Sequence, residues 1–352
     1  LAISSYTKAT EYWPQSEVGY AMLGQIYSSQ GDTEHAIKNL SKAVELKPDD
    51  HELHSLLGVE LTQNGDFDAA IKVFEQALKI KPDYAEANNG MGTVLMKKGD
   101  LGAAIDSYKQ ALKIMPDYAD AYFSIGNALK DKGDLDAAID SYKQAIKIKP
   151  DFADAYNNMG NVLREKDDLE TAIESFKQAA KIKPDDAEIY NNMAVALTGM
   201  SCFDAAIENL KKAIKINPNS AYFYHNMAHT LKGQGKLEEA VEAYQEAINI
   251  NPNSAESYCD LGHLRIMMGN TEAATEAYKQ TLNIEPRNVI AQHQLAALTG
   301  QTTTSAPNKY VEVLFDGYAT EFEHSLVDTL EYKTPNLIAE VILKLKSGAE
   351  LG

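Results

Sequence analysis

Along this chain, alanine, a bulky apolar residue four positions on, and alanine again three positions later keep recurring. Ala104–Tyr108–Ala111, Ala138–Tyr142–Ala145 and Ala240–Tyr244–Ala247 show the pattern. That i, i+4, i+7 spacing gathers three side chains on one face of a helix. Another recurring pair is an apolar residue followed by a small one: Leu23-Gly24, Leu57-Gly58, Met91-Gly92, Ile125-Gly126, Met159-Gly160, Met193-Ala194, Met227-Ala228 and Leu261-Gly262. A small residue inside a helix lets a neighbouring backbone approach closely, which offsets its weak helix propensity. The two patterns predict a first and a second helix, repeated along the chain.

Proline sets the register. Prolines stand at 14, 48, 82, 116, 150, 184, 218, 252 and 286, always 34 residues apart, and only Pro307 and Pro335 fall outside the series. A strict period of this size marks an array of repeated units. Complete units span 17–50, 51–84, 85–118, 119–152, 153–186, 187–220, 221–254 and 255–288; residues 1–16 read as the second half of a unit and 289–299 as the first half. Gly31, Gly65, Gly99, Gly133, Gly235 and Gly269 close first helices, as glycine accepts the left-handed conformation of a helix end. Asp167 and Ser201 replace that glycine in two units. Asp32, Asp66, Asp100, Asp134 and Asp168 stand where they can cap second helices.

Composition narrows the function. A net charge of −18 argues against nucleic acid as the main partner, because phosphate binding rests on Lys and Arg. It suits basic partners. No apolar run approaches the ~20 residues of a membrane helix. Two cysteines, Cys202 and Cys259, make no disulfide framework, so a reducing, cytoplasmic setting is expected. The chain opens at Leu1, partway through a unit, which leaves room for a targeting segment upstream.

Period, small-residue positions and proline together resemble the tetratricopeptide repeat over residues 1–299. The resemblance implies an all-α fold, a right-handed superhelix with first helices lining a concave groove. It also implies that the second, fifth, sixth and ninth positions of each unit face that groove. Second positions are mostly acidic: Glu52, Glu86, Asp120, Asp154, Glu188 and Glu256. Carboxylates at helix N-termini are favourable in any case; they also make an acidic groove edge that selects basic or polar ligands.

The other groove positions are rich in asparagine: Asn89, Asn127, Asn157, Asn158, Asn161, Asn191, Asn192 and Asn226. Asparagine is a poor helix former, so its recurrence on one face does not serve helix stability. Each amide carries donors and an acceptor that can pair with an extended peptide backbone. The run Ala155-Tyr156-Asn157-Asn158-Met159-Gly160-Asn161 is similar to the asparagine-lined repeats of the O-linked N-acetylglucosamine transferase family, where such a ladder holds substrate peptides. A hydrated groove with repeat-amplified asparagines is the plainer alternative. The lysines of the chaperone-tail carboxylate clamp are missing, so acidic C-termini are not expected ligands.

Late in the array, His225, Cys259 and His293 share the fifth position, and His229 and His263 share the ninth. Two i, i+4 pairs on adjacent helices offer ligands for Zn²⁺ or a similar ion. Axes ~8–10 Å apart leave convergence dependent on rotamers, and a polar groove lining that uses imidazoles is the alternative. Gly90-Met91-Gly92 is no nucleotide loop, since both glycines fall inside a repeat helix. No catalytic constellation is visible, and the chain as given is not expected to be an enzyme or to bind a cofactor.

Repetition stops after residue 299. Residues 300–308 read as a polar linker. Val311, Leu314, Phe315, Tyr318 and Phe322 are spaced for one helical face, and a second helix is expected from Pro335 through Leu337, Ile338, Val341, Ile342 and Leu345. The wording of 309–352 resembles the lead-in of bacterial tetratricopeptide-fused class I methyltransferases, whose S-adenosylmethionine-binding domain follows these helices. That resemblance implies a recruiting arm for a larger methyltransferase. A self-assembling scaffold and the targeting array of a glycosyltransferase-type enzyme are the other readings.

Overall fold

The computed structural model describes residues 2–300, which fall into two compact units divided between Pro218 and Asn219. The helices expected in 309–352 lie outside the described residues.

The first unit contains α1 (Ala2–Tyr12), α2 (Glu17–Ser29), α3 (Thr33–Leu46), α4 (His51–Asn64), α5 (Phe67–Ile80), α6 (Ala85–Lys97) and α7 (Leu101–Ile114). It continues with α8 (Ala119–Asp131), α9 (Leu135–Ile148), α10 (Ala153–Glu165), α11 (Leu169–Ile182), α12 (Ala187–Gly199) and α13 (Phe203–Ile216). The second unit holds α14 (Ala221–Gly233), α15 (Leu237–Ile250), α16 (Ala255–Met267), α17 (Thr271–Ile284) and α18 (Val289–Leu298). Among the described residues there is no strand, and none of the helices is long and apolar enough to cross a membrane.

The repeated alanines and bulky residues form the core. Ala138, Tyr142 and Ala145 on α9 and Ala172, Phe176 and Ala179 on α11 are all fully buried. Each bulky ring lies on the glycine of its own unit's first helix. A Cβ at Gly126 would stand 2.6 Å from the Tyr142 ring, and one at Gly160 would stand 2.7 Å from the Phe176 ring. Both gaps are too short for carbon atoms, so the missing side chain is what admits the ring. First helices also touch one another: α4 meets α6, α6 meets α8, α8 meets α10 and α10 meets α12. They form one face of the first unit, with the ring-and-alanine core behind it.

Helix ends follow local chemistry. Asp32, Asp100 and Asp168 accept bonds from the amides of His35, Ala103 and Thr171. Asp66 and Asp134, expected to do the same, make no cap bond; Asp66 accepts from the Asn64 amide at 2.7 Å instead. The turn glycines adopt the left-handed region, for example Gly65 at φ 86°. Asp167 (φ 63°) and Ser201 (φ 56°) adopt it as well, so these two turns keep the repeat geometry with a side chain in place. A left-handed non-glycine residue costs about 1–2 kcal/mol, partly offset by the extra unfolded-state entropy of glycine. Asp167→Gly and Ser201→Gly are each expected to stabilise the first unit by roughly 1 kcal/mol, read by urea denaturation; destabilisation by either would contradict this account.

Candidate functional site

The first-helix face of the first unit carries most of the asparagines, and the structure shows what their amides do. Asn127 on α8 accepts from the Tyr142 hydroxyl at 2.8 Å and from the Asn158 amide of α10 at 2.9 Å. The Asn192 amide of α12 donates to Asn157 of α10 at 3.2 Å. Side-chain bonds therefore run across successive units and orient the amides. They use only part of their capacity, because each amide group has two donors and an acceptor oxygen with two lone pairs. Burial, with the Asp131 charge, raises the Tyr142 hydroxyl above its ordinary range, keeping it a proton donor to Asn127.

Asn89 and Asn161 differ from their neighbours. Their side-chain oxygens are buried and have no hydrogen-bond partner among the described residues. A buried acceptor left unmatched costs about 1–3 kcal/mol, so two of them on one face are a standing demand for donors.

One expectation about the asparagines needs correction. Asn191 is 0% exposed, closed in by the helices around its fifth position, and does not offer its amide to a groove ligand. Asn226 lies on α14, in the second unit.

The acidic edge is also uneven. Asp154 is paired with Lys183 at 2.7 Å, whereas Glu86 and Asp120 are exposed and have no ion pair among the described residues. Burial, then the Asp186 charge, raises the Glu188 carboxyl above its usual value.

A pocket of about 520 Å³ opens on this face around α4 and α6. Glu52, Glu86, Tyr84, Tyr118, Asn89 and Gly90 are among the residues that line it. A side chain at Gly90 would run into the Phe74 ring, so core packing requires that glycine. Tyr84, Tyr118 and Phe152 occupy the N-cap positions of α6, α8 and α10 and make no cap bond. Three successive units thus carry an aromatic where others place Asp, Ser or Asn, forgoing about 1 kcal/mol of capping each. These aromatics are visible in the sequence as departures from the capping pattern.

The five candidate metal ligands do not converge on one site. Among the described residues, no group of three or more His, Cys, Asp or Glu side chains is placed to hold a metal ion. His225 faces Ser257 at 3.2 Å and Asp260 at 3.5 Å, and its ring lies edge-on to Tyr244. Cys259 is packed with Ala274, Tyr278 and Ala291, and burial, aided by Asp260 and other carboxylates, pushes its thiol up to about 12. His263 sits edge-on to Tyr278, with burial lowering its proton affinity, while His229 is exposed. His293 lies on α18, and its Nδ1 is buried. Cys259 and His263 both pack on Tyr278, while His225 turns to Ser257 and Asp260.

Tandem helix pairs with ring-on-glycine packing and left-handed turn residues define a tetratricopeptide-repeat protein. A tetratricopeptide-repeat profile matches residues 24–59 and 60–99. The chain belongs to the family described as cilia and flagella-associated protein 70 C-terminal domain, whose profile matches residues 84–298. Neither match enters 309–352. No curated protein matches the chain.

Solved structures share the fold. A chain of the APC/C hetero-tetramer Cut9-Hcn1 superposes with a TM-score of 0.56 at 15% identity, over 83% of this chain and 58% of that one. This chain thus spans little more than half of that relative's length. The pilF protein of Pseudomonas aeruginosa superposes with a TM-score of 0.52 at 20% identity, covering 60% of this chain and 97% of its own. MamA reaches 30% identity with a TM-score of 0.43, over 46% of this chain and 95% of its own.

Proposed function

We propose that this chain is a binding scaffold that holds an extended polar or basic peptide segment along the first-helix face of its first unit. The observation that carries the reading is the pair of buried, unmatched amide oxygens of Asn89 and Asn161, set in a row of amides oriented by cross-unit bonds. An extended backbone supplies N–H donors at regular intervals and can meet both. Glu86 and Asp120 at the edge favour a basic segment.

Photocrosslinking tests the location. Peptides of twelve residues are selected on the immobilised chain from a random display library. They are then irradiated with chains carrying p-benzoylphenylalanine at Val195, a ninth position on α12, or at Lys143 on α9. Adducts at Val195 with none at Lys143 are expected. Adducts at Lys143 alone, or at neither site, would contradict a first-helix binding face.

The tail motif supports a second reading, that the scaffold recruits substrates for an S-adenosylmethionine-dependent methyltransferase. A glycine-rich strand–turn–helix encoded after Gly352 would support it; a gene without one would remove it.

A further inference from the structure

The pocket at α4 and α6 differs from the rest of the first-helix face. Its position in the repeat explains why it is open here. At the fifth position of the next unit stands Phe123, whose ring packs 4.9 Å from Phe152 and 5.9 Å from Tyr142. The equivalent residue at the pocket is Asn89, and the sixth position beside it is Gly90. The amide of Asn89 stands where a larger phenylalanine ring fills the space one unit later. Of the three aromatic N-cap residues, Phe152 is buried, whereas Tyr84 and Tyr118 line the pocket.

The pocket's chemistry is that of a cation site. Glu52 and Glu86 are exposed carboxylates on its lining, Tyr84 and Tyr118 are its aromatic lining residues, with the His51 ring already packed edge-on with Tyr84 at 4.6 Å, and the Asn89 oxygen is a buried acceptor without a donor among the described residues. Burial, then Asp120 and Glu86, pushes the Tyr118 hydroxyl up to about 12. Burial, then Glu86, Glu52 and Asp50, raises that of Tyr84. Burial is the larger cause of both shifts, and the neighbouring carboxylates add to it. Two lysines stand near: Lys81 lies 5.2 Å over the Tyr84 ring, and Lys97 is a further lining residue.

We propose that this pocket receives an arginine side chain of the groove-bound peptide, its guanidinium against the Tyr84 and Tyr118 rings, paired with Glu52 and Glu86, and donating to Asn89. Guanidinium suits the site better than ammonium. It is planar, stacks on aromatic faces and spreads five donors over several acceptors at once. The assignment rests on the peptide-binding reading and gives that groove its sequence preference.

The test uses the full chain and a capped single residue, N-acetyl-arginine-N-methylamide, titrated while the tyrosine ring signals are followed by NMR. Tyr84→Phe and Tyr118→Phe assign the two resonances. The arginine probe is expected to shift both and to bind about tenfold more tightly than N-acetyl-glutamine-N-methylamide, as a charge-assisted, ring-stacked contact should. Glu52→Gln with Glu86→Gln should abolish that preference. Glu238→Gln with Glu239→Gln, on α15, removes equal charge elsewhere and should leave it intact. Equal binding of both probes, a preference that survives loss of Glu52 and Glu86, or one lost equally in the α15 variant would overturn the assignment. Failure here with crosslinking at Val195 retained would remove the arginine subsite alone; failure of the crosslinking would remove the peptide groove on which it rests.

Discussion

Phe176→Ala is expected to destabilise the first unit by about 3–5 kcal/mol, the range for removing a buried aromatic ring. Phe176 is fully buried among Tyr142, Ile189 and Met193, and its ring fills the gap left by Gly160. It therefore joins three consecutive helix pairs. In a repeat array, stability is a sum of unit terms and interface terms, so the variant should also separate the unfolding of flanking units and broaden the urea transition. Trp13→Ala is the control: Trp13 is 66% exposed, and its loss should change stability by no more than about 0.5 kcal/mol. A loss below about 1 kcal/mol at Phe176 would mean that ring-on-glycine packing is not what holds successive units together.

Loss of the oriented amides should have the second-largest effect, on binding. Asn158→Ala with Asn192→Ala removes both cross-unit donors, one to Asn127 and one to Asn157. It also removes two acceptor oxygens from the face. Each lost amide contact is worth about 0.5–1.5 kcal/mol, so together they should weaken peptide affinity by roughly ten- to a hundredfold. A stability cost of similar size is expected, because the same amides tie neighbouring first helices. Tyr142 keeps its bond to Asn127 in the double variant, so α8 and α9 stay joined.

Much of the fold was legible because its determinants repeat. The glycine that admits Tyr142 or Phe176 and the alanines that flank each ring have fixed places in a 34-residue unit, and a repeated constraint leaves a repeated residue. The turn at Asp167 was not legible: a left-handed conformation is read from glycine, and here the surrounding helices impose it on aspartate. The division near Pro218 was also hidden, since the proline period runs through it unbroken.

The site was legible in kind more than in detail. Asparagine recurrence marked the face, but spacing alone does not separate Asn191, sealed by its neighbours, from Asn161, whose oxygen lacks a donor. The same limit undid the metal reading. Cys259 and His263 share a face with His225 by register, yet Cys259 is drawn into the core and His225 turns toward Ser257 and Asp260. The pocket had a sequence signal in Tyr84 and Tyr118 standing where a capping residue is usual, and in Asn89 at the position where the next unit has Phe123.

The most direct measurement is calorimetric titration of a library-selected twelve-residue peptide into the wild-type chain and the Asn158→Ala, Asn192→Ala variant, with urea unfolding of both to confirm that the variant is folded. The account predicts a folded variant whose affinity is at least about tenfold weaker. A folded variant that binds the peptide as tightly as the wild type would contradict it.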